Sequence, residues 1–154
     1  SCFFAGIYVT KLTRTHQTAA PLAAHLGMTP VQDPDLHEVH LGEWDGGLYR
    51  IKAAEGDPIY RKVLQTQDWS AIPGAETRAA FFGRVERGLL RIASAHSDRR
   101  VAVFVHGGVI GAAMAIASKS EPFAFLGAAN GSISRLVIHE GRMIVRGFND
   151  TSHL

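Results

Sequence analysis

Three side chains in this sequence have both the type and the placement to do chemistry. His106 ends the apolar run Val101-Ala102-Val103-Phe104-Val105 and is followed at once by Gly107 and Gly108. A β-branched run closed by glycine reads as a buried strand, and the apolar residues after it read as a buried helix. His106 is therefore expected at the carboxyl end of a strand, where open α/β sheets place their ligands. Beside it, the amides of Gly107 and Gly108 at a helix N-terminus favour an anion. A buried histidine satisfied by a backbone partner is the plain alternative.

Arg14 lies in Thr10-Lys11-Leu12-Thr13-Arg14-Thr15-His16-Gln17-Thr18-Ala19, just beyond another strand-like run, Gly6-Ile7-Tyr8-Val9-Thr10. A cation in the first turn of a helix opposes the helix dipole, so it needs solvent or an anionic partner. Its planar fork suits bidentate phosphate binding; a solvated surface arginine is the alternative. Glu38, in Leu36-His37-Glu38-Val39-His40-Leu41, has apolar neighbours on both sides. Partial burial raises a carboxyl pKa, as a general acid working near neutrality requires; a loop carboxylate paired with Arg or Lys is the alternative. His37 and His40 flank Glu38, but their spacing is not the helical His-Glu-x-x-His zinc motif, so a metal site is not expected.

The elements that must position these groups follow from periodicity. Residues 12–26 have helical spacing, with Leu22, Ala23 and Leu26 on one side, Gly27 as the stop, and Pro21 expected to kink or loosen one turn. Residues 29–32 read as a short strand, followed by a long Gly-rich connection through Gly47. Residues 48–69 read as two short helices divided by Gly56-Asp57-Pro58. A longer helix after Pro73-Gly74 is expected to bury Phe82, Val85, Leu89 and Ile92. Residues 109–117 form the helix behind His106, and two alternating runs around Glu140-Gly141 read as a hairpin. Strands alternating with helices imply a three-layer α/β/α domain on a mainly parallel sheet, with an antiparallel C-terminal element at one side.

Composition narrows the classes. The 154 residues are 46% hydrophobic and 19% charged, which suits one globular domain. The formal charge is +2 with basic residues scattered, so no nucleic-acid partner is expected. The sequence lacks an apolar run long enough for a membrane span, and no secretory leader is evident in its first residues. The single cysteine, Cys2, is read as an inert thiol in a reducing, cytoplasmic compartment.

Five motifs in register carry a resemblance. Leu12-Thr13-Arg14-Thr15-His16-Gln17-Thr18-Ala19, Leu36-His37-Glu38 with Gly42-Glu43-Trp44-Asp45-Gly46, Gly74-Ala75-Glu76-Thr77, Val105-His106-Gly107-Gly108 and Asn149-Asp150-Thr151-Ser152-His153-Leu154 stand in the order of the histidine phosphatase superfamily. The chain resembles its phosphoglycerate mutase-like branch over nearly its whole length. The resemblance implies a phosphohistidine mechanism without metal or cofactor, acting on a small phosphorylated metabolite. By position, Glu38 resembles the general acid, His106 the second histidine that stabilises the transferring phosphoryl group, Arg14 a phosphate-binding arginine, and Gly107 an added amide donor. Glu76 and Thr77 match an element that approaches the pocket, with an N-cap role equally compatible, while Asn149 and His153 fit a structural terminal turn. A homodimer is compatible with the family.

The sequence also departs from that pattern. No Arg-His-Gly occurs in it, so the nucleophilic histidine and the central strand bearing it are expected upstream of Ser1. Residues 1–154 are thus read as one N-terminally incomplete domain, inactive alone, with an open slot of unpaired backbone groups in its sheet. Lys11 and Val105 also depart, standing where the family often has proline and serine. The short excursion between Gly46 and Gly74 favours a phosphatase of the histidine acid phosphatase kind over a mutase. A binding protein without turnover is the third reading.

Overall fold

The computed structural model describes residues 3–154; Cys2, and with it the expectation of an inert thiol, lies outside them. In chain order the elements are β1 (Phe4–Val9), α1 (Thr13–Leu26), β2 (Val31–Gln32), α2 (Leu48–Glu55), α3 (Pro58–Thr66), α4 (Arg78–Ala95), β3 (Arg100–Val103), α5 (Gly107–Ser118), β4 (Ile133–His139) and β5 (Arg142–Asp150). Short 3-10 turns at Pro34–Leu36, Gly42–Trp44 and Trp69–Ala71 punctuate the connections.

The parallel sheet runs β2-β1-β3, with Tyr8 opposite both Val31 and Val103. Because side chains alternate across a strand, β1 and β3 feed two cores. Ile7, Val9, Ala102 and Phe104 face α1, where Ala19 and Ala23 are buried. Tyr8, Val101, Val103 and Val105 face the larger core of α4 and α5, around Phe81, Val85, Ile92, Val109 and Ala112. The result is the three-layer α/β/α arrangement. The expected antiparallel C-terminal element is present: β4 and β5 form a two-stranded sheet of their own, and among the described residues β3 pairs only with β1. The turn between β4 and β5 uses Glu140 (φ 49°) and Gly141 (φ 75°), the two positive φ values a tight two-residue hairpin needs.

Several local expectations need adjustment. α1 remains helical through Pro21 and ends at Gly27, whose left-handed backbone caps it. Asp57 caps α3 by accepting from the Ile59 amide at 2.8 Å. On α4 the buried stripe is Phe81, Val85, Gly88 and Ile92, with Phe82 and Leu89 at its margin. The stripe turns toward Gly88 because the segment bearing Asp35 and Leu36 packs there: a Cβ on Gly88 would meet Asp35 Cβ at 3.0 Å and Leu36 Cδ2 at 3.1 Å. Trp69 meets Phe81 edge-on at 5.4 Å on the same face.

The connection from Gln32 to Gly47 carries Glu38, and it is stitched rather than free. Asp33 and Asp35 pair with Arg91, and Asp35 also with Arg87, both on α4. Farther on, Glu43 N donates to Pro73 O at 3.0 Å and Glu76 N to His40 O at 2.8 Å. Gly42 makes that junction possible: its φ is +57°, and a Cβ would overlap the Pro73–Ala75 backbone. Gly42→Ala is therefore expected to cost about 2–4 kcal/mol, read as a lower urea midpoint at unchanged slope.

Candidate active site

His106 is the N-cap of α5, directly after β3, and only 5% exposed. Both ring nitrogens have partners. Arg14 Nη2 lies 3.1 Å from Nδ1, and Thr10 Oγ1 lies 2.9 Å from Nε2. A guanidinium can only donate, so Nδ1 is the bare nitrogen and Nε2–H donates to Thr10. Burial, reinforced by the Arg14 charge and by His37, holds the His106 pKa down at about 4. The imidazole is neutral at physiological pH and points a lone pair at the arginine.

The linkage has a definite sign. Below the ordinary histidine value of 6.5 the unfolded chain takes up a proton that folded His106 refuses until about pH 4. Its contribution to stability is complete above pH 6.5 and is lost as pH falls across that window. The loss is on the order of 3 kcal/mol. Urea titrations at pH 7 and pH 4.5 are expected to show it, with His106→Gln losing less; equal losses in both chains would contradict the burial of a neutral ring.

Thr10, at the carboxyl end of β1, is fully buried, and Thr15 is nearly so. Leu12, the residue before α1, supplies no side-chain cap. Thr15 Oγ1 ties the strand-to-helix turn together instead, accepting from Thr10 N at 3.1 Å and donating to Leu12 O at 2.8 Å. The turn so fixed presents Arg14 in the first turn of α1, against the helix dipole; it is exposed and leans on a neutral nitrogen. That resolves the conflict posed by its position, because solvent and a lone pair together take the place of an anionic partner.

Glu38 approaches from the opposite side. Its Oε1 accepts from Val39 N at 3.0 Å and its Oε2 from Gly108 N at 3.2 Å. Burial pushes its pKa up, although these two amides and the charges of Arg14 and Arg84 pull the other way. A Cβ on Gly108 would overlap Glu38 Oε1, so only glycine allows the carboxyl to reach the start of α5. Gly107 opens that helix, and its first amides have no carbonyl one turn back. His37 stacks on His40 at 5.1 Å, lies 6.2 Å from His106, and has its Nδ1 3.0 Å from Glu38 O.

Arg14, Glu38, His106 and Gly107 thus meet at the carboxyl ends of β1 and β3. The sequence reading did not include Thr10 and Thr15 in the site. Their signal is positional, since parallel neighbours β1 and β3 end at the same level and so bring Thr10 beside His106. Of the two glycines that open α5, Gly108 is the one whose amide donates to the Glu38 carboxyl. Of the Gly-Ala-Glu-Thr element, Thr77 is the N-cap of α4 and Glu76 pairs with Arg84 at 2.7 Å. At the C-terminus, Asn149 Oδ1 accepts from Ala129 N at 2.7 Å and His153 Nε2 lies 2.9 Å from Gly131 O, both tying down turns.

Known proteins are similar to this chain in sequence and fold. The chain is 32% identical over 153 residues to a metal-independent phosphoserine phosphatase of Arabidopsis thaliana, covering 97% of this chain and 63% of that protein. It is 33% identical over 106 residues to phosphoglycerate mutase-like protein 4 of the same plant, covering 68% of this chain and 46% of that one. The chain therefore spans less than two-thirds of either relative. Among solved structures, a phosphoglycerate mutase of Bacillus anthracis superimposes with a TM-score of 0.79 at 23% identity, over 99% of this chain and 75% of that one. A mycobacterial glucosyl-3-phosphoglycerate phosphatase with inorganic phosphate gives 0.78 at 27% identity, over 98% and 79%. The model of the histidine phosphatase superfamily, branch 1, matches residues 2–151, and the chain belongs to that family.

Proposed function

We propose that this site hydrolyses small phosphomonoesters through a phosphohistidine. Arg14 and the first amides of α5 bind the phosphoryl oxygens, and His106, whose bare Nδ1 holds the Arg14 guanidinium in place, stabilises the group in transfer through that arginine. A nucleophilic imidazole from outside these 154 residues forms the P–N bond as the ester P–O bond breaks, and Glu38 gives its proton to the departing oxygen. Water then attacks phosphorus, the P–N bond breaks, and its proton returns to the Glu38 carboxylate. No metal enters this scheme.

One observation carries the reading: a cation, a bare imidazole nitrogen and a buried carboxyl of raised pKa converge on the N-terminus of one helix. The nucleophile's strand has a place to go, since β3 has a partner only on its β1 side among the described residues. Phosphatase is preferred to mutase because the excursion between Gly46 and Gly74 holds only α2, α3 and one short turn. A relative named as a phosphoserine phosphatase supports the same choice. The absence of Arg-His-Gly from the sequence favours one alternative, a phosphate-binding protein without turnover.

The test is release of inorganic phosphate from a generic aryl phosphate by the full-length protein, with and without a chelator. Turnover insensitive to chelation is expected. Loss of activity with the chelator, or binding without turnover, would overturn the scheme.

A further inference from the structure

We infer that Arg84, on α4, is the positioning residue for the Glu38 carboxyl, and that Glu76 completes its grip. Every N–H of the guanidinium is engaged. Nε donates to Glu76 Oε1 at 2.7 Å, Nη1 to the carbonyls of Asp35 at 2.9 Å and His37 at 2.6 Å, and Nη2 to Glu38 O at 3.0 Å and Glu76 Oε2 at 2.9 Å. Three carbonyls in four residues of the connection that carries Glu38 are thereby satisfied by one side chain. Glu76 holds His40, two residues beyond Glu38, from both sides, its Oε2 accepting from His40 N at 3.3 Å and its own amide donating to His40 O at 2.8 Å.

The clamp is rigid for identifiable reasons. Both side chains are 12% exposed, and the guanidinium lies 4.7 Å above the ring of the fully buried Phe81. Only a planar fork with five donors reaches these acceptors at once; a lysine, with three donors on one atom, cannot. With all five of its N–H groups spent on these acceptors, Arg84 acts through the Glu38 backbone rather than on a bound phosphoryl group. Without the clamp, the backbone that carries Glu38 loses the side chain that ties it to α4, and the carboxyl is held less firmly at Gly108 N.

This inference rests on Glu38 being the general acid, and leaving-group dependence separates the two claims. A good leaving group such as 2,4-dinitrophenolate departs without a proton, whereas an alkoxide needs one. With the full-length protein, Arg84→Lys is expected to lower kcat/KM on an alkyl phosphate roughly 10- to 100-fold, the scale of a misplaced catalytic group. On 2,4-dinitrophenyl phosphate the loss of kcat/KM, which reports transfer to the histidine and not the later step in which Glu38 takes a proton from water, should be below about 3-fold. Glu76→Gln, which keeps the arginine and one acceptor, should show the same bias more weakly and serves if Arg84→Lys does not fold.

A loss equal on both substrates, or none, in a variant with native circular dichroism overturns the positioning role. If Glu38→Gln shows the bias and both clamp variants do not, only this inference falls. If Glu38→Gln shows no bias either, the assignment of Glu38 falls and takes this inference with it.

Discussion

Glu38→Gln in the full-length protein is expected to slow alkyl phosphate hydrolysis roughly 10²- to 10⁴-fold, the range that general acid catalysis supplies. The amide fills the same space and its single oxygen keeps one of the two backbone donors, Val39 N or Gly108 N, so folding and phosphate affinity should survive at a cost of about 1–3 kcal/mol in stability. What it cannot do is deliver a proton. The pH dependence gives a second signature. An acid must be protonated to act, so activity declines as pH rises through the Glu38 pKa. Burial raises that pKa, which extends the active range toward neutrality. In the glutamine variant that alkaline limb should disappear; equal rates for the two proteins would remove Glu38 from the chemistry.

The next largest effect is expected from Arg14→Ala. A charge-assisted hydrogen bond contributes about 1.5–3 kcal/mol, so inorganic phosphate binding should weaken roughly 10- to 150-fold. His106 supplies an independent readout, because the Arg14 charge is one cause of its low pKa. Removing that charge should raise the midpoint of the His106 ring titration, followed by NMR. The midpoint should still stay below the ordinary value, since burial is the larger cause. A variant that keeps both phosphate affinity and the His106 midpoint would show that Arg14 is a solvated surface residue.

These expectations depend on parts of the molecule that were unequally legible in the sequence. His106 was readable because a β-branched strand ending in His-Gly-Gly forces a side chain to the sheet's carboxyl edge. α1, α3 and the β4–β5 turn were readable for a similar reason: Gly27, Asp57 and Glu140-Gly141 act on their own neighbours. The stripe on α4 was misread by one position because periodicity cannot distinguish Phe81 from Phe82. That choice is made by Gly88 and the segment packed on it. Arg84 was invisible as part of the site, since its partners lie 8 to 49 residues away and are mostly carbonyls, which carry no sequence signature. That the β4–β5 hairpin forms a sheet of its own was not legible in its residues, because strand pairing is decided by which backbone edges meet rather than by the composition of either strand.

The same contrast explains why Gly108 outranks Gly107 as a contact of Glu38. Both glycines open α5, and composition treats them alike. Only the path of the connection carrying Glu38, fixed through Arg84, Glu76 and Gly42, decides which amide the carboxyl meets.

The most direct test of a phosphoryl-transfer site is to mix the full-length protein with a radiolabelled aryl phosphate, quench within the first turnover, and recover the protein. Label bound to protein, stable in alkali and lost in acid, with inorganic phosphate released on continued incubation, is the expected result. Phosphate bound reversibly at Arg14 and His106, with no label surviving denaturation and no phosphate released, would contradict it.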